Sequence, residues 1–370
     1  MLFTNLFFAL FPAWRLSPIW IIFSSVDLYF SIWNGTLVLI NLFLSALIIS
    51  FDRRWYSKYL SYSLLILCVT FTLSIVVNQF QTGLLAIIGI PITYLTLFII
   101  LERYKINQKI CYIALLAFLV WSIIPVLLVV IGSPEVKLAL FTSVKDTFST
   151  FGGFALHRNM YGYYTGLAIL MTYMFPIKAL YKIVTILFMC IGILLSGSRS
   201  TLLSVFICVF FYICKQNSKY RYLLILFSII IFTILLFLIF TMEIRISATE
   251  DDGRESLAVG FWNIIKDNIW FGQGMPVLFY SMSYPKGSPA HNILLQTWAD
   301  YGLIVLISFL LFLLISFFKV NLYKKIILLY LFIFSFFQPY FYLSMPNGFL
   351  CTSIFIATII TSINEKNTYY

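Results

Sequence analysis

Charge is what this sequence has least of. Of its 370 residues only 10% are charged, 13 are acidic, and two are histidines, His157 and His291. A soluble globular domain is about a quarter charged and about half apolar. A chain that is 62% hydrophobic, with a mean hydropathy of +1.00, falls outside that class. Paired metal-site cysteines are missing too. Cys68, Cys111, Cys190, Cys208, Cys214 and Cys351 show no C-x-x-C spacing, and all lie in apolar runs. They read as small buried hydrophobes rather than as disulfides or metal ligands. No internal repeat or low-complexity linker divides the sequence, so residues 1–370 read as one membrane domain. No basic stretch precedes the first apolar run, so that span is expected to be retained rather than cleaved.

What the chain has in quantity is long apolar segments. They lie at about 5–24, 34–50, 60–77, 84–101, 110–131, 160–176, 183–196, 201–214, 223–241, 292–318, 326–343 and 348–363. Only helices and closed barrels satisfy their backbone polar groups in lipid, and segments of this length predict helices. The expected fold is therefore all-α, with about twelve transmembrane helices. Arg15 and Asp27 interrupt the region of the first two.

The net charge of +11 does not point to nucleic acid, because the basic residues are scattered between spans. The linkers 51–59, 102–109, 177–182, 215–221 and 319–325 are all basic, and two spans separate each from the next. They lie on one side, which the positive-inside rule makes the cytoplasm, together with both termini. The opposite face receives the two longest polar segments, about 132–159 and 242–291. It also carries Arg158, Arg199, Arg245, Arg254 and both histidines, against the usual bias.

Several of these residues can carry chemistry. Arg199 lies in "LLSGSRSTLL", where Gly197 permits a turn and Ser198 or Ser200 can cap a helix starting near Thr201. Free amides at a helix start beside a guanidinium favour a phosphate; the alternative is a snorkelling arginine. Arg158, in "FALHRNMYGYYTG", is either a second phosphate or glycan contact or an interfacial anchor within an aromatic belt of Tyr161, Tyr163 and Tyr164. Arg254 is expected in the first turn of a surface helix over 255–270, built on Leu257, Phe261, Trp262, Ile265 and Ile269. The run Glu250, Asp251, Asp252 is either a solvated helix start or a metal or sugar cluster. "GQG" at 272–274 reads as a turn. His291 follows Pro289-Ala290 in the first turn of the next helix, whose dipole favours a neutral, basic imidazole. It is the one strong general-base candidate, the alternative being a hydrogen-bonded interfacial histidine. Asp27 is a weaker acidic candidate.

Taken in order, these stretches resemble the bacterial O-antigen ligase and polymerase superfamily over about residues 150–310. The resemblance is carried by "HRN" opening a span, "SGSRSTLL", "GR" opening a large loop, "NIWFGQG", and the "HN" that opens the next span. Two patterns are those of the ligases: an arginine with leucine four positions on (Arg199, Leu203), and His-Asn, nine residues, then glycine (His291, Asn292, Gly302). The second is usually followed three positions later by Gly, Thr or Tyr; here the residue is Val305.

The resemblance implies a GT-C-like membrane fold and a glycan donor on undecaprenyl pyrophosphate. Arg199 and Arg254, with Arg158 as a third contact, would hold the pyrophosphate. His291 would be the base, supported by Asn292, Ser198 and Gly302. It also implies inverting transfer to lipid A–core at the periplasmic face of the inner membrane, with no cofactor and no metal. A polymerase extending a lipid-linked repeat-unit chain shares the donor and the face. A transporter of lipid-linked sugars would carry ionisable residues in mid-membrane, whereas here they gather at one end.

Overall fold

The computed structural model describes residues 58–78, 107–144, 148–155, 158–216, 254–274, 290, 292–337 and 348–367. The described helices are α1 (Lys58–Val77), α2 (Gln108–Ile131), α3 (Pro134–Leu140), α4 (Arg158–Met174), α5 (Ala179–Ser196), α6 (Arg199–Gln216), α7 (Arg254–Asp267), α8 (Ile293–Lys319), α9 (Leu322–Ser335) and α10 (Gly348–Asn367). The protein is helical, as the composition predicts. Within the polar segment after α2 the chain adds one short antiparallel hairpin, β1 (Phe141–Val144) with β2 (Phe148–Phe151), in the register Phe141 to Phe151.

Three described helices are long and apolar enough to cross a membrane: α2 with 24 residues, α5 with 18 and α8 with 27. The spans expected at 5–24, 34–50, 84–101 and 223–241 lie outside the described residues. On α5 one face turns outward, with Leu180, Tyr181, Ile183, Leu187 and Leu194 exposed. An apolar outer face of this kind suits a helix that meets lipid on one side and protein on the other.

The centre of the bundle is α4. Of its 17 residues, those from Tyr161 to Thr172 are all buried, and it packs against α2, α5, α6, α9 and α10. Gly162 and Gly166, four apart, are where neighbours come closest. A side-chain carbon on Gly162 would meet Ser198 Oγ and Thr201 Oγ1 at 2.5 Å, and one on Gly166 would collide with the Tyr330 hydroxyl. Small residues at this spacing let helices in lipid approach through their backbones. Tyr330 Oη uses the space to donate to the carbonyl of Tyr163 at 2.9 Å. Tyr161 Oη donates to the Ser122 carbonyl of α2 at 2.6 Å. Tyr161, Tyr163 and Tyr164 are therefore core residues, and the belt reading of these tyrosines is corrected: their rings pack on Trp121, Phe151 and Phe334.

Several boundaries differ from the sequence reading. Asn321 caps α9 by accepting from Lys324 N at 3.0 Å. The basic linker 319–325 thus shrinks to Val320 and Asn321, Lys324 is buried in the helix, and α9 ends at Ser335 rather than running to 343. Long amphipathic stems let lysines enter a helix that apolarity alone would have ended. Cys68, Cys111, Cys190, Cys208 and Cys214 are free thiols. Cys111 and Cys208 donate to the Ile359 and Ile326 carbonyls.

Candidate functional site

The site begins at the tight turn between α5 and α6. Gly197 takes the left-handed conformation (φ 62°) and its N–H reaches Leu194 O at 3.1 Å, closing α5. Such a helix end favours glycine because a Cβ there is strained. Two residues on, α6 starts at Arg199, two positions earlier than the expected start near Thr201. The Ser198 carbonyl accepts from Leu202 N, and its hydroxyl pairs with Thr201 Oγ1 at 2.8 Å. Ser198 is buried, while Arg199 is exposed.

The same turn packs on the start of α4, since Ser198 and Thr201 are the atoms facing Gly162. Further along, the Tyr173 ring of α4 meets Tyr212 of α6 at 5.6 Å. The two helices therefore run parallel, and their N-termini lie side by side. Arg158, half-buried, is the first residue of one, and Arg199 is the first residue of the other. Each N-terminus exposes amides without intrahelical partners and carries about half a positive charge. Two such helix starts, each opening on an arginine, have the chemistry that favours an anion.

α8 follows the second long polar segment and reaches α6 near its far end. Phe317, near the C-terminal end of α8, meets Phe211 of α6 at 6.2 Å. Asn292 caps α8, its Oδ1 accepting from Leu294 N at 2.9 Å and Leu295 N at 3.3 Å. The helix is not continuous. At Gly302 (φ 87°, ψ 173°) it breaks, which corrects the single run read over 292–318. The turn after α7 fills the break. Gln273 N donates to the carbonyls of Ala299 and Asp300 at 3.0 and 3.1 Å, and Leu303 N donates to Ile269 O at 2.9 Å. Helix groups orphaned by the break thus find partners, as they must where water is scarce.

α7 lies against the first segment of α8, where Phe261 and Ile265 pack with Ala290 and Ala299. Trp262 meets Trp298 edge-on at 5.7 Å. Arg254 opens α7, in the first turn as the sequence predicts. The "GQG" turn is tied to α1 as well, through Ser74 Oγ donating to Phe271 O at 2.7 Å.

Of the residues singled out from sequence, Ser198 packs against the start of α4 at Gly162, and Arg158 and Arg199 open the two helices that meet there. Asn292 and Gly302 mark the cap and the break of α8. His291 and His157 lie outside the described residues, as do Asp27, Arg245, Glu250, Asp251 and Asp252. Two residues escaped the sequence reading. Asp300 and Gln296, each 2% exposed, are hydrogen-bonded to each other inside α8. An ionisable side chain within an apolar span was the available signal for Asp300.

Residues 184–312 match the family model described as O-antigen ligase. The matched segment runs from α5 into α8. It contains Arg199, Arg254, His291, Asn292 and Gly302, and it excludes Arg158. The match covers 129 of the 370 residues and shows that this part of the chain is similar to the O-antigen ligase family. A comparison with curated proteins gives no match.

Proposed function

We propose, from the O-antigen ligase match over residues 184–312, that the protein joins a lipid-linked O-polysaccharide to lipid A–core. In this reading the chain is a single inner-membrane domain of about twelve spans with cytoplasmic termini. Its two longest polar loops, about 132–159 and 242–291, are periplasmic. The observation that carries the reading is the parallel pair α4 and α6, whose adjacent N-termini begin with Arg158 and Arg199.

The donor is a glycan on undecaprenyl pyrophosphate. His291 takes the proton from an acceptor hydroxyl as that oxygen attacks the anomeric carbon. A new glycosidic C–O bond forms, the bond to the pyrophosphate oxygen breaks, and undecaprenyl pyrophosphate leaves with inversion. Negative charge grows on the leaving group. Arg199, Arg254 and Arg158, with the two helix N-termini, stabilise it in a preorganised way. The break at Gly302 and the cap at Asn292 fix the segment that follows His291.

A polymerase extending a lipid-linked chain uses the same donor corner, and Val305 in place of the usual Gly, Thr or Tyr favours that second reading. A gene deletion separates the two on a lipopolysaccharide gel. Core without any O-antigen, with lipid-linked polymer accumulating, is the ligase outcome. Core capped by a single repeat is the polymerase outcome and overturns the first reading.

A further inference from the structure

The first segment of α8 holds a polar strut with no part in the transfer described above. Gln296 Oε1 accepts from the Ala290 N–H at 2.9 Å, and Gln296 Nε2 donates to Asp300 Oδ1 at 2.8 Å. Four residues apart, the two side chains share one helix face. Both are 2% exposed. The Asp300 carbonyl is itself held by Gln273 N at 3.1 Å, beside the break at Gly302. The strut therefore runs from the crossing of the 268–274 turn back to the peptide just before His291. Asn292 pins the chain on the other side through its cap.

A glutamine amide can point either way, but a carboxylate oxygen only accepts when ionised. The Ala290 N–H can only donate, so it takes Oε1 and turns Nε2 toward Asp300. Burying a carboxylate costs far more than burying a leucine in the same apolar span. Orientation, rather than stability, is what the pair contributes.

We propose that Gln296 and Asp300 are positioning residues that fix the backbone at Ala290 and Asn292, the two neighbours of the proposed base His291. The proposal rests on the glycosyl-transfer reading given above.

The test uses full-length protein in lipid nanodiscs, with transfer of lipid-linked O-polysaccharide to lipid A–core followed at varied donor concentration. Gln296→Glu keeps an acceptor for Ala290 but sets two carboxyl groups against each other. Adding Asp300→Asn restores a donor–acceptor pair with the roles reversed. A misplaced reacting group costs up to about 100-fold in rate, so Gln296→Glu should lower kcat by about 10- to 100-fold. The donor KM should stay within about twofold, because the donor-binding arginines are untouched. The double variant should recover most of the lost kcat. Gln296→Leu, of similar size but without either hydrogen bond, should lower kcat in the same way and covers the case in which Gln296→Glu does not fold. An unchanged kcat in the folded single variants, or a double variant as slow as Gln296→Glu, overturns the proposal. His291→Ala is run alongside. If it transfers at the wild-type rate, the base assignment has failed; if it is inactive while Gln296→Glu is not impaired, only the strut has failed. Should the wild type polymerise instead of ligating, the same kcat comparison is read on chain extension.

Discussion

Gly272 and Gly302 meet backbone to backbone. A Cβ on Gly272 would lie 2.5 Å from Gly302 N, and one on Gly302 would collide with the Trp270 carbonyl. Gly302 also sits at φ 87° and ψ 173°, a region open essentially to glycine alone. Replacing it with alanine adds backbone strain to a steric clash, together on the order of 3 kcal/mol. Gly302→Ala should therefore lower the thermal unfolding midpoint in detergent clearly. Gly197→Ala provides the comparison, because Gly197 is also at positive φ but has nothing within 4 Å of the added carbon. Its cost should be only about 1–2 kcal/mol. Equal shifts for the two variants would mean that the Gly272–Gly302 contact contributes nothing.

A second prediction concerns how the donor corner is assembled. Gly162 faces the hydroxyls of Ser198 and Thr201, which are hydrogen-bonded to each other. A methyl group there must push α6 away from α4 or break that pair. Overpacking of this kind costs about 1–3 kcal/mol. Gly162→Ala should raise the donor KM as Arg158 and Arg199 separate, and Ser198→Gly should relieve part of the effect by removing the nearest side chain. A donor titration of the single and double variants checks this. No change in KM for Gly162→Ala would separate the packing from the binding.

The helices that carry the site were legible from apolar run length, because in lipid an apolar stretch has few alternatives to a helix. The start of α7 at Arg254 and the left-handed Gly197 followed from local chemistry, a polar helix start and a glycine turn. The break at Gly302 was not legible. Apolar residues continue on both sides of it, and its partner, the 268–274 turn, lies about thirty residues upstream in the chain. Hydropathy also misplaced the tyrosines of α4. It treats Tyr161 as an interfacial ring, whereas the Ser122 carbonyl satisfies its hydroxyl inside the core. The close approach at Gly162 and Gly166 was written in the spacing, yet only the structure shows which helix fits there.

The cap of α8 gives a third prediction. Asn292 Oδ1 accepts from two backbone amides, Leu294 N and Leu295 N. Loss of such a cap costs about 1 kcal/mol, whereas serine or aspartate replaces it at little cost. Asn292→Ala should lower the unfolding midpoint modestly and slow transfer. Asn292→Ser and Asn292→Asp should stay near wild type in stability. If aspartate and alanine behave alike in both measurements, the asparagine acts on substrate rather than on the helix.

The arginine at the start of α6 gives the fourth. Arg199 is exposed, so its replacement removes little packing. A planar fork matches two phosphate oxygens at once, while a lysine offers a single point charge. Hydrogen bonds to charged groups contribute about 1.5–3 kcal/mol each. Losing one of two would weaken donor binding by about 10- to 100-fold. Arg199→Lys should thus raise the donor KM by about that factor, and Arg199→Ala should raise it further. Arg158→Lys should follow the same pattern less steeply, because the parallel N-termini of α4 and α6 still present their amides to the anion. A donor KM unchanged in Arg199→Lys would leave Arg199 as an interfacial cation, and the pyrophosphate would then have to be held from the start of α7 instead.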